Sequence, residues 1–520
     1  MSLKREAVSG AEVDERLAAL MTNSNAIRAI ASAVEGTLGP KGLDTMLVDK
    51  FGEVVITNDG VTILTMMEAN HPAARMLINI ARAQQEEIGD GTTTATVMAG
   101  ALVSSGVEQV ARGVPVARVI EGLRAGLKRA LEIMRGQARP VEGLEDPVVR
   151  QVALVAGRDH GDIADLAVKA ALLIGEEKLK DPTFKFSDTV VAEEGADNEV
   201  FMGVIINKER MNRQMPREQN QAHVLVIDDA FEPEEISDEA LGTEAGFARY
   251  LQLQEEFKSN VKKIVELGVG LVLVDRGVAD VAEEILTDAG LMVVQRVANK
   301  ELRKAAEHTG ARMIKRTGLQ KAPDDLKKYL GLAGRVYNDE KLEQVWVLEG
   351  GGKPMATVLV GAATAEVVGE RERIAKDAAA SIQSAIKGGV VPGGGSLELA
   401  VAREVEKIRD SIRGMAAYGV DCVVEALKRP MSQIVANAGF NPLEKLGDVV
   451  AVQVESGKNS MAIDCDSGQV ADMVELGVAD PAEVKIYALR AAGEIAEAIL
   501  RIDTIIKKRE EKDIQLKDSS

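Results

Sequence analysis

Cysteine, tryptophan and histidine are nearly missing from this sequence. Two cysteines, Cys422 and Cys465, cannot build a disulfide framework, and no N-x-[ST] acceptor occurs, which suits a reducing, cytoplasmic setting. The four histidines (His71, His160, His223, His308) are scattered, so no zinc-ligand spacing arises. Aromatics are equally sparse, with one Trp, five Tyr and eight Phe in 520 residues, and the cores must be packed with Val, Ile, Leu, Ala and Met. Basic charge is short too. The 63 Lys and Arg against 82 Asp and Glu leave a net charge of −19, which argues against a nucleic-acid binder and against an anionic membrane as partner. No long apolar run exists: the longest charge-free stretch, Gly91 to Val107, is full of Thr, Ser and Gly and falls short of the roughly 20 apolar residues of a membrane span. The first residues, Met1 to Val8, are basic but have no apolar run behind them, so they do not read as a signal peptide.

What is present is a globular composition, 46% hydrophobic and 28% charged, long enough for about three or four domains. From Val13 to about Arg139 apolar residues recur at helical spacing, as in Leu17, Leu20, Ile27, Ile30 and Val34. A short strand pair, Thr45–Asp49 and Val54–Thr57, interrupts the helices, and Asn58-Asp59-Gly60 reads as the turn that closes it. The middle differs. His223–Asp228, Leu271–Asp275 and Leu291–Gln295 are short buried-strand runs separated by helical patterns such as Ala279–Ala289, which predicts an α/β unit. Between the first two strands lies a long insertion, Phe231 to Gly268, acidic at first and then apolar. Insertions of that length are usually functional or mobile. Helical patterning returns after Thr357–Gly361 and continues to Ile506, and the charged tail Lys507–Ser520 is expected to be disordered. Helical flanks around an α/β centre predict a discontinuous base domain with others inserted, a multidomain α and α/β chain.

Three glycine-rich segments invite chemistry. Gly89-Asp-Gly-Thr-Thr-Thr94 precedes a helical run, and an open helix start with hydroxyls attracts phosphate, with Asp90 able to hold magnesium. An ordinary N-cap loop fits the same residues. Thr37-Leu-Gly-Pro-Lys-Gly42 reads as a second backbone cradle or as a plain turn, and Val391–Ser396 as close ligand approach or as tight helix packing. The known nucleotide motifs are absent. Pro354 stands where the Glu349-Gly-Gly-Gly-Lys-Pro354 run would need the Ser or Thr of a P-loop, and no G-x-G-x-x-G follows a strand. Asp377 lies off its helix's apolar stripe and by itself reads as a surface charge.

Taken together and in this order, Thr37–Gly42, Asn58-Asp-Gly-Val-Thr-Ile-Leu64, Gly89–Thr94, Pro392-Gly-Gly-Gly395 and Gly477-Val-Ala-Asp-Pro481 resemble the nucleotide-site motifs of the chaperonin family. The resemblance runs over nearly the whole chain to about Lys507. His71-Pro-Ala-Ala-Arg75 leading into Gln85–Asp90, with Ile499-Leu-Arg-Ile-Asp503 near the end, is similar to the archaeal and eukaryotic (thermosome, group II) type rather than the bacterial type with a separate co-chaperonin. The insertion after Phe231 falls where that type carries its helical protrusion, a built-in lid.

The resemblance implies an ATP-hydrolysing chaperone that encloses non-native polypeptides in a homo-oligomeric double ring, eight subunits per ring, without a co-chaperonin. It implies a mainly helical equatorial domain (1–138 and 397–520), a small α/β intermediate domain (139–209 and 362–396) and an α/β apical domain (210–361) with a protrusion at about 231–258. Carried over by position, Asp90 ligates magnesium; Gly91, Thr92, Thr93 and Thr94 hold phosphates; Leu38, Gly39 and Pro40 wrap the nucleotide; and Gly394 and Asp480 meet the ribose. Asp59 and Asp377 position the attacking water, with Asp377 the better candidate for base. One departure stands out: Arg158, in Val155-Ala-Gly-Arg-Asp-His160, occupies the place of the lysine that senses the γ-phosphate, and the two side chains are not interchangeable. This hints at the divergent archaeal-type branch found in bacteria (group III). Ile236, Leu241, Phe247, Leu251, Phe257 and Val261 are the candidates for polypeptide contact; an apolar stripe is more often core than binding surface, but capture of unfolded chains needs some of them exposed. The competing class is a passive polypeptide-binding ring that keeps the fold but does not turn over ATP; an intact acidic set, Asp59, Asp90 and Asp377, speaks against it.

Overall fold

The charge-free stretch becomes a helix buried on nearly every side, Thr92–Ala111, with Ala95, Met98, Ala99, Leu102 and Val103 all at 0% exposure. A helix without a polar face has to be surrounded. Here Ser2–Glu35, Pro72–Glu87, Ala417–Asn437 and Ala482–Leu500 do the surrounding, and they share one core with Val116–Gln137. The computed structural model describes residues 2–52, 54–234, 236–237 and 242–504, without the side chains of 2–16 and 366. The tail from Lys507 and Leu241 lie outside the described residues. The chain forms two compact units, one made of residues up to 164 together with those from 376, the other of 165–375. In the first unit the helices are joined by a hairpin, β1 (Thr45–Val48) and β2 (Val54–Thr57), antiparallel with Thr45 opposite Thr57.

Asn58-Asp59-Gly60 does not turn that hairpin. The chain reverses earlier, between Val48 and Val54, and Asp59 is instead the N-cap of the helix Gly60–Met66. An Asp-Gly pair serves either role, and here the Asp59 carboxylate accepts from Val61 N and Thr62 N of the helix that it starts.

The second unit is built on an eight-stranded mixed sheet. Its strands are β3 (Val190–Glu194), β4 (Glu199–Ile206), β5 (Glu218–Ile227), β6 (Val269–Val274), β7 (Met292–Val294), β8 (Gly331–Asp339), β9 (Gln344–Gly350) and β10 (Ala356–Ala362), in the order β3-β10-β4-β9-β8-β5-β6-β7. The three central runs pair in parallel, β5 with β6 and β6 with β7. Their unbroken apolar character follows from burial on both faces. Val224, Val226, Leu271 and Leu273 pack with Leu302 and Ala305 of helix Asn299–Thr309. Leu225, Ile227, Val272 and Val274 pack on the opposite side with Phe257, Val261 and Ile264 of helix Glu244–Glu266.

Two short pairs complete the first unit. β11 (Val390–Pro392) runs antiparallel to β14 (Ala479–Pro481), placing Val391 opposite Asp480, and β12 (Met461–Ile463) pairs with β13 (Val470–Asp472). The β11–β14 pair fastens the Gly393–Gly395 turn beside Asp480. Among the described residues no helix is long and apolar enough to cross a membrane.

Candidate functional site

The first unit contains a cavity of about 390 Å³, within the usual range of small-ligand sites. Every residue carried over by the resemblance lines it: Leu38, Gly39, Pro40, Asp59, Asp90, Gly91, Thr92, Thr93, Thr94, Arg158, Asp377, Gly394 and Asp480. One wall is the start of the helix Thr92–Ala111. Gly91 caps it in the left-handed region (φ 79°) and offers no side-chain acceptor, so the amides of the first turn have no partner within the helix. An open helix start of that kind, with three hydroxyls in its first turn, suits phosphate oxygens. Gly394 and Gly395 are also left-handed (φ 65° and 77°), which bends the chain around the cavity's far end before helix Ser396–Glu406 begins.

The acids differ in how they are held. Asp59 is 8% exposed and its carboxylate accepts from Val61 N (3.3 Å), Thr62 N (3.1 Å) and Thr62 Oγ1 (2.6 Å). Its lone pairs are thus largely committed to capping its own helix. Asp90 accepts from Gly91 N and from Ser381 Oγ at 2.9 Å, and Gln84 Nε2 donates to its carbonyl at 2.7 Å. Burial and then the charge of Asp480 raise the Asp90 pKa, against Gly91, Ser381 and Lys485. Asp377 belongs to the part of helix Ala365–Gly388 that lies in this unit. Its pKa is pushed well above the usual carboxylate range, by burial first and then by Asp90 and Asp59, with Arg158 and Gln85 opposing. The arrangement therefore has one acid whose protonated form is favoured by its surroundings and another that is tied into a cap.

Five carboxylates (Asp59, Asp90, Asp159, Asp377, Asp480) and two cations (Arg158, Lys485) line the same space. That donor set fits a divalent ion, which would relieve the repulsion that raises Asp90 and Asp377. Among the described residues no three side chains form a complete metal cage.

The sequence did not single out Lys485, Gln84, Gln85 or Ser381. Lys485 Nζ lies 2.8 Å from Asp480 Oδ2 and 2.8 Å from Glu398 Oε1. Burial alone would lower its pKa, but the two carboxylates outweigh it and hold the lysine above its usual value. The available signal was a lone cation inside an apolar helical stripe, Val484-Lys485-Ile486. Arg158 and Asp159 follow the helix Pro147–Ala156 with left-handed backbones (φ 51° and 61°), a conformation costing about 1–2 kcal/mol for a residue other than glycine. The chain thus strains itself to bring Arg158 to the cavity wall.

Of the apolar candidates for polypeptide contact, Phe257 and Val261 are core side chains of the second unit, 6% and 0% exposed. They face the sheet, so the helix's apolar stripe is packing surface over that length. Phe247 and Leu251, about two to four turns earlier, are 54% and 50% exposed, and Ile236 is half-buried.

Comparison with known proteins gives a consistent result. The TCP-1/cpn60 chaperonin family matches residues 30–510. A thermosome subunit of Pyrococcus abyssi is 35% identical over 505 residues, covering 93% of this chain and 90% of the relative. A thermosome subunit beta of Archaeoglobus fulgidus is 34% identical over 501 residues, covering 93% and 91%. A crystal structure of a group III chaperonin in the open state superposes with a TM-score of 0.88 at 48% identity, covering 95% of this chain and all of that one (100%). With a family match over nearly its whole length, the chain belongs to the TCP-1/cpn60 chaperonin family, as a thermosome-like ATP-dependent chaperonin.

Proposed function

We propose that the cavity of the first unit is where this chaperonin hydrolyses ATP, and that Asp377 is the base. The observation that carries the reading is convergence: segments at 37–42, 58–60, 90–94, 155–159, 377, 394–395 and 480–485, remote in sequence, line one space. Phosphoryl transfer asks mainly for positioning and charge neutralisation. The amides and hydroxyls at Thr92, Thr93 and Thr94, with Gly91, hold the phosphates; Leu38, Gly39 and Pro40 cover the nucleotide; Gly394 and Asp480 take the ribose. Asp90 holds magnesium, whose charge offsets that of the triphosphate. Asp377 accepts the proton of the attacking water, and its raised pKa matches that task better than the committed carboxylate of Asp59, which orients the water. Arg158 reads the nucleotide state, its charge acting on Asp377.

At the level of the whole assembly, the reading is a double ring of eight identical subunits per ring in the cytoplasm. It takes up non-native polypeptides, closes with a lid formed by the protrusion at about 231–258, and needs no co-chaperonin. Within each subunit an equatorial domain (1–138, 397–520), an intermediate domain (139–209, 362–396) and an apical domain (210–361) divide the work. The exposed Phe247 and Leu251 are the apolar side chains offered to clients.

The test is phosphate release by the purified protein with magnesium and ATP, beside Asp377→Ala. A general base contributes about 10²–10⁴-fold, so the variant should retain at most about one per cent of the wild-type kcat. Equal inertness of the two proteins would instead favour a passive binding ring.

A further inference from the structure

Lys485 sits in the cavity wall yet carries no role in the reading above. It is 7% exposed, and its ammonium joins two carboxylates from different parts of the chain. Asp480 is on β14, and Glu398 is on the helix that starts directly after the Gly394–Gly395 turn, with Nζ 2.8 Å from an oxygen of each. Glu398 is fully buried (0% exposed), and among the described residues its Oε2 accepts no hydrogen bond. A buried carboxylate in that state is held only by a close cation. Two carboxylates and one ammonium leave one negative charge in the cluster, and it rests best on the partner that reaches the cavity, Asp480, whose side chain is 20% exposed. Oδ2 is the Asp480 oxygen that pairs with Lys485.

We propose that Lys485 is a positioning residue for nucleoside recognition: anchored by Glu398, it fixes the Asp480 carboxylate in the orientation that accepts the ribose hydroxyls. One ammonium thereby ties together the two segments, Gly394–Gly395 and Asp480, that close the nucleoside end of the cavity. The inference rests on the ATP-site reading and adds to it a source of ribose selectivity.

The experiment compares ATP with 2′-deoxy-ATP in steady-state phosphate release by the assembled protein with magnesium. Losing one hydrogen bond to a charged acceptor should raise the wild-type KM for the deoxy analogue by about tenfold over ATP. Lys485→Met alone strands the buried Glu398, so the diagnostic variant is Lys485→Met with Glu398→Gln, which removes cation and anion together. Its KM for ATP should rise to that for 2′-deoxy-ATP, about tenfold, while kcat stays within about threefold; Asp480→Asn should likewise lose the distinction between the two nucleotides. A lysine that merely supports the fold would lower kcat with both substrates and leave their KM ratio intact. An unchanged ratio in the double variant overturns the proposal. If the double variant does not assemble, retained selectivity in Asp480→Asn overturns it equally. A wild type that hydrolyses both nucleotides with one KM overturns it while leaving the ATP site standing, whereas a wild type that releases no phosphate removes the ATP-site reading itself.

Discussion

Gly91 allows the cradle argument to be tested at a single carbon. It caps the helix Thr92–Ala111 at φ 79°, ψ 17°, a region where an alanine costs about 1–2 kcal/mol. A methyl there would also stand 2.5 Å from Cγ1 of Val484 and 3.1 Å from Nε2 of Gln84. Neither neighbour gives easily. Val484 is 4% exposed, and Gln84, fully buried, is bonded through Nε2 to the carbonyls of Asp90 and Val484. Forcing a methyl into such a place adds about 1–3 kcal/mol, for a total of about 2–5 kcal/mol. Gly113, just past the other end of the same helix, supplies the control: it is left-handed too (φ 95°), but a methyl there meets nothing within 4 Å. Gly113→Ala should therefore cost about 1–2 kcal/mol and leave nucleotide kinetics alone. Gly91→Ala should lose about 1–3 kcal/mol more and raise the KM for ATP about tenfold or beyond, because displaced amides no longer meet the phosphates. Denaturant titrations give the first quantity and steady-state phosphate release the second. A Gly91→Ala protein with the wild-type KM, or a Gly113→Ala protein with an equally raised one, would refute the cradle.

Two further outcomes follow from the same structure. The Asp377 pKa is raised in the folded chain, so over the window between the ordinary aspartate value and the raised one the folded state binds more protons than the unfolded state, and apo stability falls as pH rises. Asp377→Asn should flatten that dependence in nucleotide-free and metal-free denaturation curves; an equally steep fall in the variant would contradict the reading that Asp377 carries the shift. Gly122 and Gly419 let helices Val116–Gln137 and Ala417–Asn437 touch backbone to backbone: a methyl on Gly122 would run into the carbonyl of Ala416, and one on Gly419 into that of Val119. Gly122→Ala should destabilise the first unit by about 3 kcal/mol or more, seen as a lower denaturation midpoint, and a loss under about 1 kcal/mol would mean that the helices can separate cheaply.

The sequence showed the fold where burial is one-sided or total, and hid it where a residue has two uses. Continuous runs such as Val224–Ile227 and Leu271–Val274 could only be strands with apolar cover on both faces, and they are. The helical run after Gly89–Thr94 was legible too, and the charge-free stretch 91–107 lies almost wholly in that buried helix. Asp59-Gly60, by contrast, is a good turn and a good cap, and the deciding fact is the length of chain between Val48 and Val54, which already turns the hairpin. Phe257 and Val261 are core, as an apolar stripe more often is, and the sequence left them beside the exposed candidates for a related reason. The helix Glu244–Glu266 presents its stripe to the sheet near its C-terminal end and leaves Phe247, Tyr250 and Leu251 exposed near its start, a change that periodicity alone does not mark.

The site's glycines and threonines were legible through the resemblance of their segments taken in order, since each alone fits a cap, a turn or tight packing equally well, whereas its electrostatics were not legible. Whether an aspartate is a surface charge or a base depends on what burial and which neighbours it meets, and those neighbours come from several hundred residues away. Asp377 owes its raised pKa to burial and to Asp90 and Asp59, and Asp480 owes its place to Lys485 and, through it, to Glu398. With five carboxylates facing two cations, the empty balance of the cavity is negative, and a nucleotide alone would make it worse. Binding of a triphosphate therefore has to bring positive charge with it. The open amides at Thr92–Thr94 supply part of this, but partial charges at a helix start, equivalent to about half an elementary charge, cannot match the anion. The acid-rich wall is thus understandable only as one half of a complete site, whose other half arrives with the ligand.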